Sequence, residues 1–250
     1  MEDLFEFYLH DSKKKFSGWD FSYVSDTDRI AEFPLDWSYT SKIIKKLRNA
    51  NSLLDMGTGG GEFLSLLKPL PVNSYATEGY EPNLPIAKER LEPLGVNVVK
   101  VEEDNKLDFE DNYFDLVINR HEEYSAKEVK RVLKQNGYFI TQQVGGKNCV
   151  ELNKILDYDG DFGMPEWQLD SAVNELKKEE LKIIEKHEDF PGLRFYDIGA
   201  IIYYLKAVPW QIPDFSVDNY YDSLKKLHTQ IQEKGYIDIE EHRFLIVAKK

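Results

Sequence analysis

The sequence predicts an α/β fold in which a parallel sheet carries helices on both faces. Two observations support this. Strand-like and helix-like stretches alternate from about residue 40 to 145, and a glycine turn at residues 57–61 joins the first strand of that run to a helix. Alternation of this kind implies right-handed crossovers between parallel strands. Ile43–Leu47 ends an amphipathic helix, and Ser52–Met56 is the first strand. Glu62–Leu67 reads as a helix through Phe63, Leu66 and Leu67, and Ser74–Glu78 as a short strand. Asn83–Leu91 follows Pro82 as a helix and stops before Pro93-Leu94-Gly95. Val96–Val101 and the strongly apolar Phe114–Asn119 are strands. Lys127–Leu133 is a helix that stops at Asn136-Gly137, and Tyr138–Val144 is the next strand. Beyond residue 145 the rhythm changes. Trp167–Lys178 reads as a helix, Leu181–His187 as a strand, Val217–Lys234 as a helix, and Ile237–Val247 contains a strand. No internal repeat, low-complexity tract or linker interrupts the chain, so one elaborated domain is expected.

Composition narrows the class. The 250 residues are 42% hydrophobic and 31% charged, ordinary for a globular protein. No apolar run approaches the roughly 20 residues of a membrane span, and Met1-Glu2-Asp3-Leu4-Phe5-Glu6 lacks the basic start and apolar core of a signal peptide. Cys149 is the only cysteine, which fits a reducing compartment, and the expected location is cytoplasmic. A net charge of −13 argues against a broad electrostatic grip on nucleic acid.

The most informative stretch is Leu53-Leu54-Asp55-Met56-Gly57-Thr58-Gly59-Gly60-Gly61-Glu62. A turn almost without side chains, between a strand and a helix, lets a ligand approach the backbone with the helix N-terminus facing it. Asp55 discriminates among ligands. A carboxylate there repels a pyrophosphate and attracts an ammonium, which favours a nucleoside bearing an amino-acid tail over a dinucleotide. Glu78 ends the second strand about 20 residues past the turn, where an acid in doubly wound folds accepts hydrogen bonds from both ribose hydroxyls.

With these residues, the chain resembles the class I S-adenosylmethionine-dependent methyltransferases, of the type 11-like group. Three further segments carry the likeness: Tyr80-Glu81-Pro82-Asn83-Leu84-Pro85-Ile86-Ala87, the stretch Leu107–Asp115, and Arg131-Val132-Leu133-Lys134-Gln135-Asn136-Gly137-Tyr138. Asp108 stands where that family usually has Pro, and Gln135-Asn136 where it has Pro-Gly; both are loop changes. The resemblance implies a doubly wound, mostly parallel, seven-stranded Rossmann-like sheet with an antiparallel C-terminal strand and an aromatic lid. It divides the single domain into an N-terminal cap (1–40), a cofactor-binding core (41–145) and a substrate-side lid with the C-terminal strands (146–250). It implies S-adenosyl-L-methionine as cofactor, with Asp55, Gly57, Thr58 and Gly59 at the methionine end and Glu78 at the ribose. It also implies an acid beside the adenine, Glu103 or Asp104, and Asn119 after the fourth strand.

Rival readings fare worse on the residues. The spacing of Gly57, Gly59 and Gly61 breaks a dinucleotide fingerprint at the third glycine. His121-Glu122-Glu123 has no second His at helical spacing, so no metal site is expected. No Gly-x-Ser-x-Gly elbow is present. The expected partner is a small organic acceptor, enclosed by aromatic residues such as Trp19, Phe21, Tyr23, Phe33, Trp37 and Tyr39. Arg194 either pairs an anionic substrate or bridges to a surface acid, and Asp197 caps the apolar run 201–205. His121 is the candidate general base, by location and by the ordinary pKa of histidine. The alternatives are an RNA or protein methyltransferase, or a non-catalytic protein that binds S-adenosylmethionine.

Overall fold

The computed structural model describes residues 3–16, 20–102, 106–160 and 163–250. In chain order its elements are α1 (Leu4–Leu9), α2 (Ser22–Ser25), β1 (Ile30–Glu32), α3 (Tyr39–Leu47), β2 (Ser52–Met56), α4 (Glu62–Leu66), β3 (Asn73–Glu78), α5 (Leu84–Leu91), β4 (Val96–Lys100) and β5 (Phe114–Arg120). There follow α6 (Ala126–Val132), β6 (Leu133–Val144), α7 (Val150–Ile155), α8 (Leu169–Lys178), β7 (Lys182–Asp189), β8 (Gly192–Phe195), α9 (Ile198–Ala207), α10 (Tyr221–Lys234), β9 (Ile237–Glu240) and β10 (Arg243–Lys249). The chain divides into two compact units. One comprises Asp36–Val144, Trp167–Glu188 and Arg243–Lys250; the other comprises Met1–Leu35, Gly145–Glu166 and Asp189–His242.

The first unit holds a seven-stranded sheet in the order β4-β3-β2-β5-β6-β10-β7. Strands β2 to β6 pair in parallel, and β10 runs antiparallel to β6. This is the doubly wound, mostly parallel sheet with an antiparallel C-terminal strand that the sequence predicts. Burial follows position in the sheet. Every residue of central β2 is buried, whereas β7, at the edge, alternates exposed and half-buried residues along its length. Helices start where side chains cap them: Ser38 accepts the Ser41 N–H ahead of α3, and Ser125 accepts the Glu128 N–H ahead of α6.

Two expected boundaries move. Helix α6 ends at Val132, one residue before the expected Leu133, and β6 starts at Leu133 rather than Tyr138, because Leu133 is already extended and pairs with Phe114. Asn136 and Gly137 lie inside β6, where Asn136 adopts φ 69° and its N–H meets the Lys250 carbonyl. The strand expected within 237–247 is two strands, β9 and β10, which join different sheets.

The second unit contains the antiparallel sheet β1-β8-β9. Its core is rich in aromatic residues: Phe5, Phe195, Tyr203 and Tyr204 are buried, with Phe16, Phe21 and Tyr23 packed against them. Helix α9 is buried along its length except for Lys206, as its apolar sequence demands. Asp197 caps α9 by accepting the Ala200 N–H at 2.9 Å, and Arg29 grips the same carboxylate through Nε and Nη2 at 2.7 and 2.6 Å. Arg194 forms a two-point ion pair with Asp238, the bridging role of the two expected for it. Trp19 lies outside the described residues.

Candidate functional site

Of the residues singled out by the sequence, Asp55, Gly57, Thr58, Gly59, Glu78, Asn119 and His121 lie at or just beyond the carboxyl ends of β2, β3 and β5. Asp55 is the penultimate residue of β2 and is buried. Its carboxylate accepts the Thr58 hydroxyl at 2.7 Å and forms no ion pair among the described residues. Burial pushes its pKa up to about 7, despite the Thr58 hydrogen bond and the field of Arg120, and the nearby Glu78 charge adds to the rise. A carboxylate so poorly compensated is suited to meet an incoming cation.

The turn after β2 closes tightly. Gly57, Gly59 and Gly61 have φ of 68°, 62° and 81°, a region that only glycine enters without strain. Two bonds from Thr77 on β3 fix the turn: its carbonyl accepts the Thr58 N–H at 2.9 Å, and its hydroxyl accepts the Gly57 N–H at 3.3 Å. From α5, Arg90 donates to the Gly60 carbonyl and pairs with Glu62. The Glu122 side chain lies against the Gly57 Cα, in the space a Cβ would take. A ligand tail laid on this glycine requires that side chain to swing aside.

Glu78, the last residue of β3, is buried and accepts the Tyr80 N–H at 2.7 Å and the Asn83 amide at 3.4 Å. These bonds hold the carboxylate in one orientation at the strand end. Glu103 and Asp104 lie outside the described residues.

At the end of β5, Asn119 is fully buried. Its Oδ1 accepts Thr141 Oγ1 at 2.9 Å and Gln143 Nε2 at 2.6 Å, its Nδ2 reaches the Met56 carbonyl, and its own carbonyl accepts the Tyr39 hydroxyl. Its side chain thus ties β2, β5 and β6 together at their carboxyl ends. His121 follows in the left-handed region, φ 58°, with its N–H on the Gln142 carbonyl at 2.8 Å. It keeps access to solvent yet is closely surrounded by protein. That desolvation, reinforced by Arg243 and Arg120, holds its pKa well below the ordinary histidine value.

Thr77, Arg90 and Asn83 belong to this constellation although sequence reading passes over their roles, and Tyr39 and Glu122 enter it by contacts the sequence does not foretell. Their signal was available in part: Thr77 precedes Glu78, and Glu122 follows His121. Which of them faces the turn depends on strand register, which the sequence does not print. A groove of about 460 Å³ lies apart from the turn, lined by Trp37, Lys42, Glu185 and His187 among others. Among the described residues, no group of three or more His, Cys, Asp or Glu side chains is placed to hold a metal ion.

Residues 54–141 match the family model described as a methyltransferase domain. Among solved structures, a Bacillus halodurans protein provisionally assigned as a methyltransferase shares 17% identity, over 84% of this chain and 98% of its own, with a TM-score of 0.60. The YcgJ protein of Bacillus subtilis also shares 17% identity, over 85% and 97%, with a TM-score of 0.58. The 4+2 cyclase SpnF shares 16%, over 84% and 79%, with a TM-score of 0.54. At these identities the likeness is one of fold. No curated protein matches the chain by sequence. The seven-stranded sheet with its antiparallel C-terminal strand is a fold this chain shares with those structures. The family-model match spans the stretch that holds the four sequence segments.

Proposed function

We propose that the protein binds S-adenosyl-L-methionine and transfers its methyl group to a small organic acceptor. The observation that carries the reading is Asp55: a buried carboxylate without an ion-pair partner among the described residues, at the mouth of a glycine turn in a methyltransferase domain. The residues present fit this cofactor. Asp55 would take the ammonium of the amino-acid tail, and the opened backbone of Gly57, Thr58 and Gly59 would lie along it. Glu78, held by Tyr80 and Asn83, would accept the ribose hydroxyls. Glu103 or Asp104 is proposed for the adenine amino group and Asn119 for the floor of the site. The bound cofactor supplies an electrophilic methyl on a sulfonium, so the chain's own task is to position an acceptor in line with it. His121, Arg120 and Glu122, at and just beyond the end of β5, are the side chains offered to that acceptor. No helix among the described residues is long and apolar enough to cross a membrane.

Calorimetry with S-adenosylmethionine and with its demethylated product tests the cofactor assignment. Binding of both is expected, weakened more than tenfold by Asp55→Ala or Glu78→Ala. Failure of either compound to bind the unaltered protein would overturn the proposal. A second reading is favoured by one observation, the fold likeness to SpnF, named as a 4+2 cyclase: the site could bind the cofactor and serve another reaction. Transfer of label from methyl-labelled cofactor to extract metabolites separates the two. Labelled product supports methyl transfer, and cofactor binding without any transfer supports the second reading.

A further inference from the structure

A chain of three side chains fixes the chemistry of His121. The indole Nε1 of Trp37 donates to Gln142 Oε1 at 2.9 Å, and the other end of that amide, Nε2, lies 3.3 Å from His121 Nε2. Trp37 and Gln142 are both buried. An indole nitrogen can only donate, so the amide atom facing it must be the oxygen. Turning the amide over would set N–H against N–H at Trp37 and leave a buried donor unsatisfied. The amide nitrogen therefore faces His121. Because that nitrogen can only donate, His121 Nε2 must be the bare, accepting nitrogen of a neutral ring. The proton then sits on Nδ1. No hydrogen bond to Nδ1 is formed among the described residues, and the residue is open to solvent.

The elements around the ring hold this arrangement in place. Gln142 stands opposite Arg120 in the β5–β6 register, and the His121 N–H bonds the Gln142 carbonyl at 2.8 Å. The Trp37 ring rests on His187, centroids 5.6 Å apart, and His187 Nε2 lies 2.7 Å from Glu185, which also pairs with Lys42. The charged groups acting on His121 are Arg120 on its own strand and Arg243 on β10, both positive. Neither favours a second proton on the ring.

We infer that Trp37 and Gln142 lock His121 as the Nδ1–H tautomer, so that it serves as a hydrogen-bond donor to a lone pair on the acceptor rather than as a proton-abstracting base. Trp37 and Gln142 are positioning residues in this scheme. What the donor faces rests on the proposed methyl transfer; the tautomer does not. The group recognised is an oxygen or nitrogen bearing a free lone pair.

The test is two-bond proton–nitrogen correlation NMR on the full chain, labelled with 15N-histidine, without cofactor or acceptor. The chain has five histidines, and His121 is identified by the signal lost in His121→Asn. In the unaltered protein the expected pattern is a protonated Nδ1 and a bare Nε2, unchanged from pH 8 to pH 6. Gln142→Glu places a carboxylate that accepts from both Trp37 and His121. It should move the proton to Nε2 and raise the titration midpoint of His121 by at least one pH unit. Trp37→Phe frees the amide and should give a mixture of both tautomers. Unmoved signals of His228 and His242 show that a variant has folded. A protonated Nε2 in the unaltered protein, or a folded Gln142→Glu protein with the original pattern, would overturn the inference. Failure of the cofactor to bind would leave this measurement intact, so the two proposals fail separately.

Discussion

Asp55 couples binding, stability and pH in a single side chain. Its carboxyl, ordinarily near 3.8, is raised to about 7 in the folded protein. Between those values the native state holds a proton that the unfolded chain has released. Stability is therefore fullest below about pH 4 on this group's account and is lost as pH rises through about 7. A tenfold difference in proton affinity between the two states is worth about 1.4 kcal/mol. Asp55→Asn cannot ionise and keeps an oxygen for Thr58 Oγ1. It should match the unaltered protein near pH 4 and exceed its stability at pH 8, as read by urea unfolding at the two pH values, while losing cofactor affinity more than tenfold. Loss of stability at pH 8 would contradict the assigned burial cost. The same linkage acts in binding. An ammonium placed on Asp55 favours the charged form, so binding at pH 6 should release up to one proton, and at pH 8.5 none from this group. Calorimetry in two buffers of different ionisation enthalpy measures the release.

Elements convert such residues into a site by fixing where they point. The turn between β2 and α4 depends on glycine at a position with φ 68°, and the Glu122 side chain fills the space beyond its Cα. Gly57→Ala would meet both obstacles. It should cost about 1–2 kcal/mol for the backbone alone, more with the contact to Glu122, and should weaken binding of the demethylated cofactor. Unchanged unfolding would show that the turn relaxes freely. Helix α9 illustrates a different dependence. Ile201 is fully buried within it, so Ile201→Ala should cost about 2–5 kcal/mol by transfer and cavity terms together, again read by urea unfolding. Edge and centre also differ among strands. The continuous burial of β2 and β5 made both legible as apolar runs, whereas β6 was read to start late because Gln135-Asn136-Gly137 looks like a turn. The extended backbone at Leu133, paired across to Phe114, and the meeting of Asn136 with Lys250 carry the strand through it.

At the scale of the whole molecule, the net charge of −13 opposes unassisted binding to a polyanion. Titration with a structured RNA at low and moderate salt should give no saturable binding. A tight, steeply salt-dependent isotherm would favour the RNA-directed alternative. The charge is unevenly used. Arg120 and Arg243 act on His121 at the mouth of the site, and Arg29 is gripped between Asp11 and Asp197. Of the aromatic residues read from the sequence as a cover, Phe21 and Tyr23 pack against the core of the second compact unit, while Trp37 and Tyr39 are buried in the first. Thus a high aromatic content outside the shared fold first supplies a core, and only the remainder is available to a substrate.

The sequence by itself determined the sheet class, the glycine turn, and the acids Asp55 and Glu78. Each follows from local rules: apolar periodicity, the φ that only glycine tolerates, and the fixed distance from one strand end to the next. Only the tertiary structure decided that Thr77 braces the turn, that Glu122 lies on Gly57, and that Trp37 reaches Gln142 across 105 positions. Those pairings depend on strand order and register. Asp55 shows the division within one residue. Its place is written in the sequence, but its raised pKa comes from burial among groups that folding alone brings together.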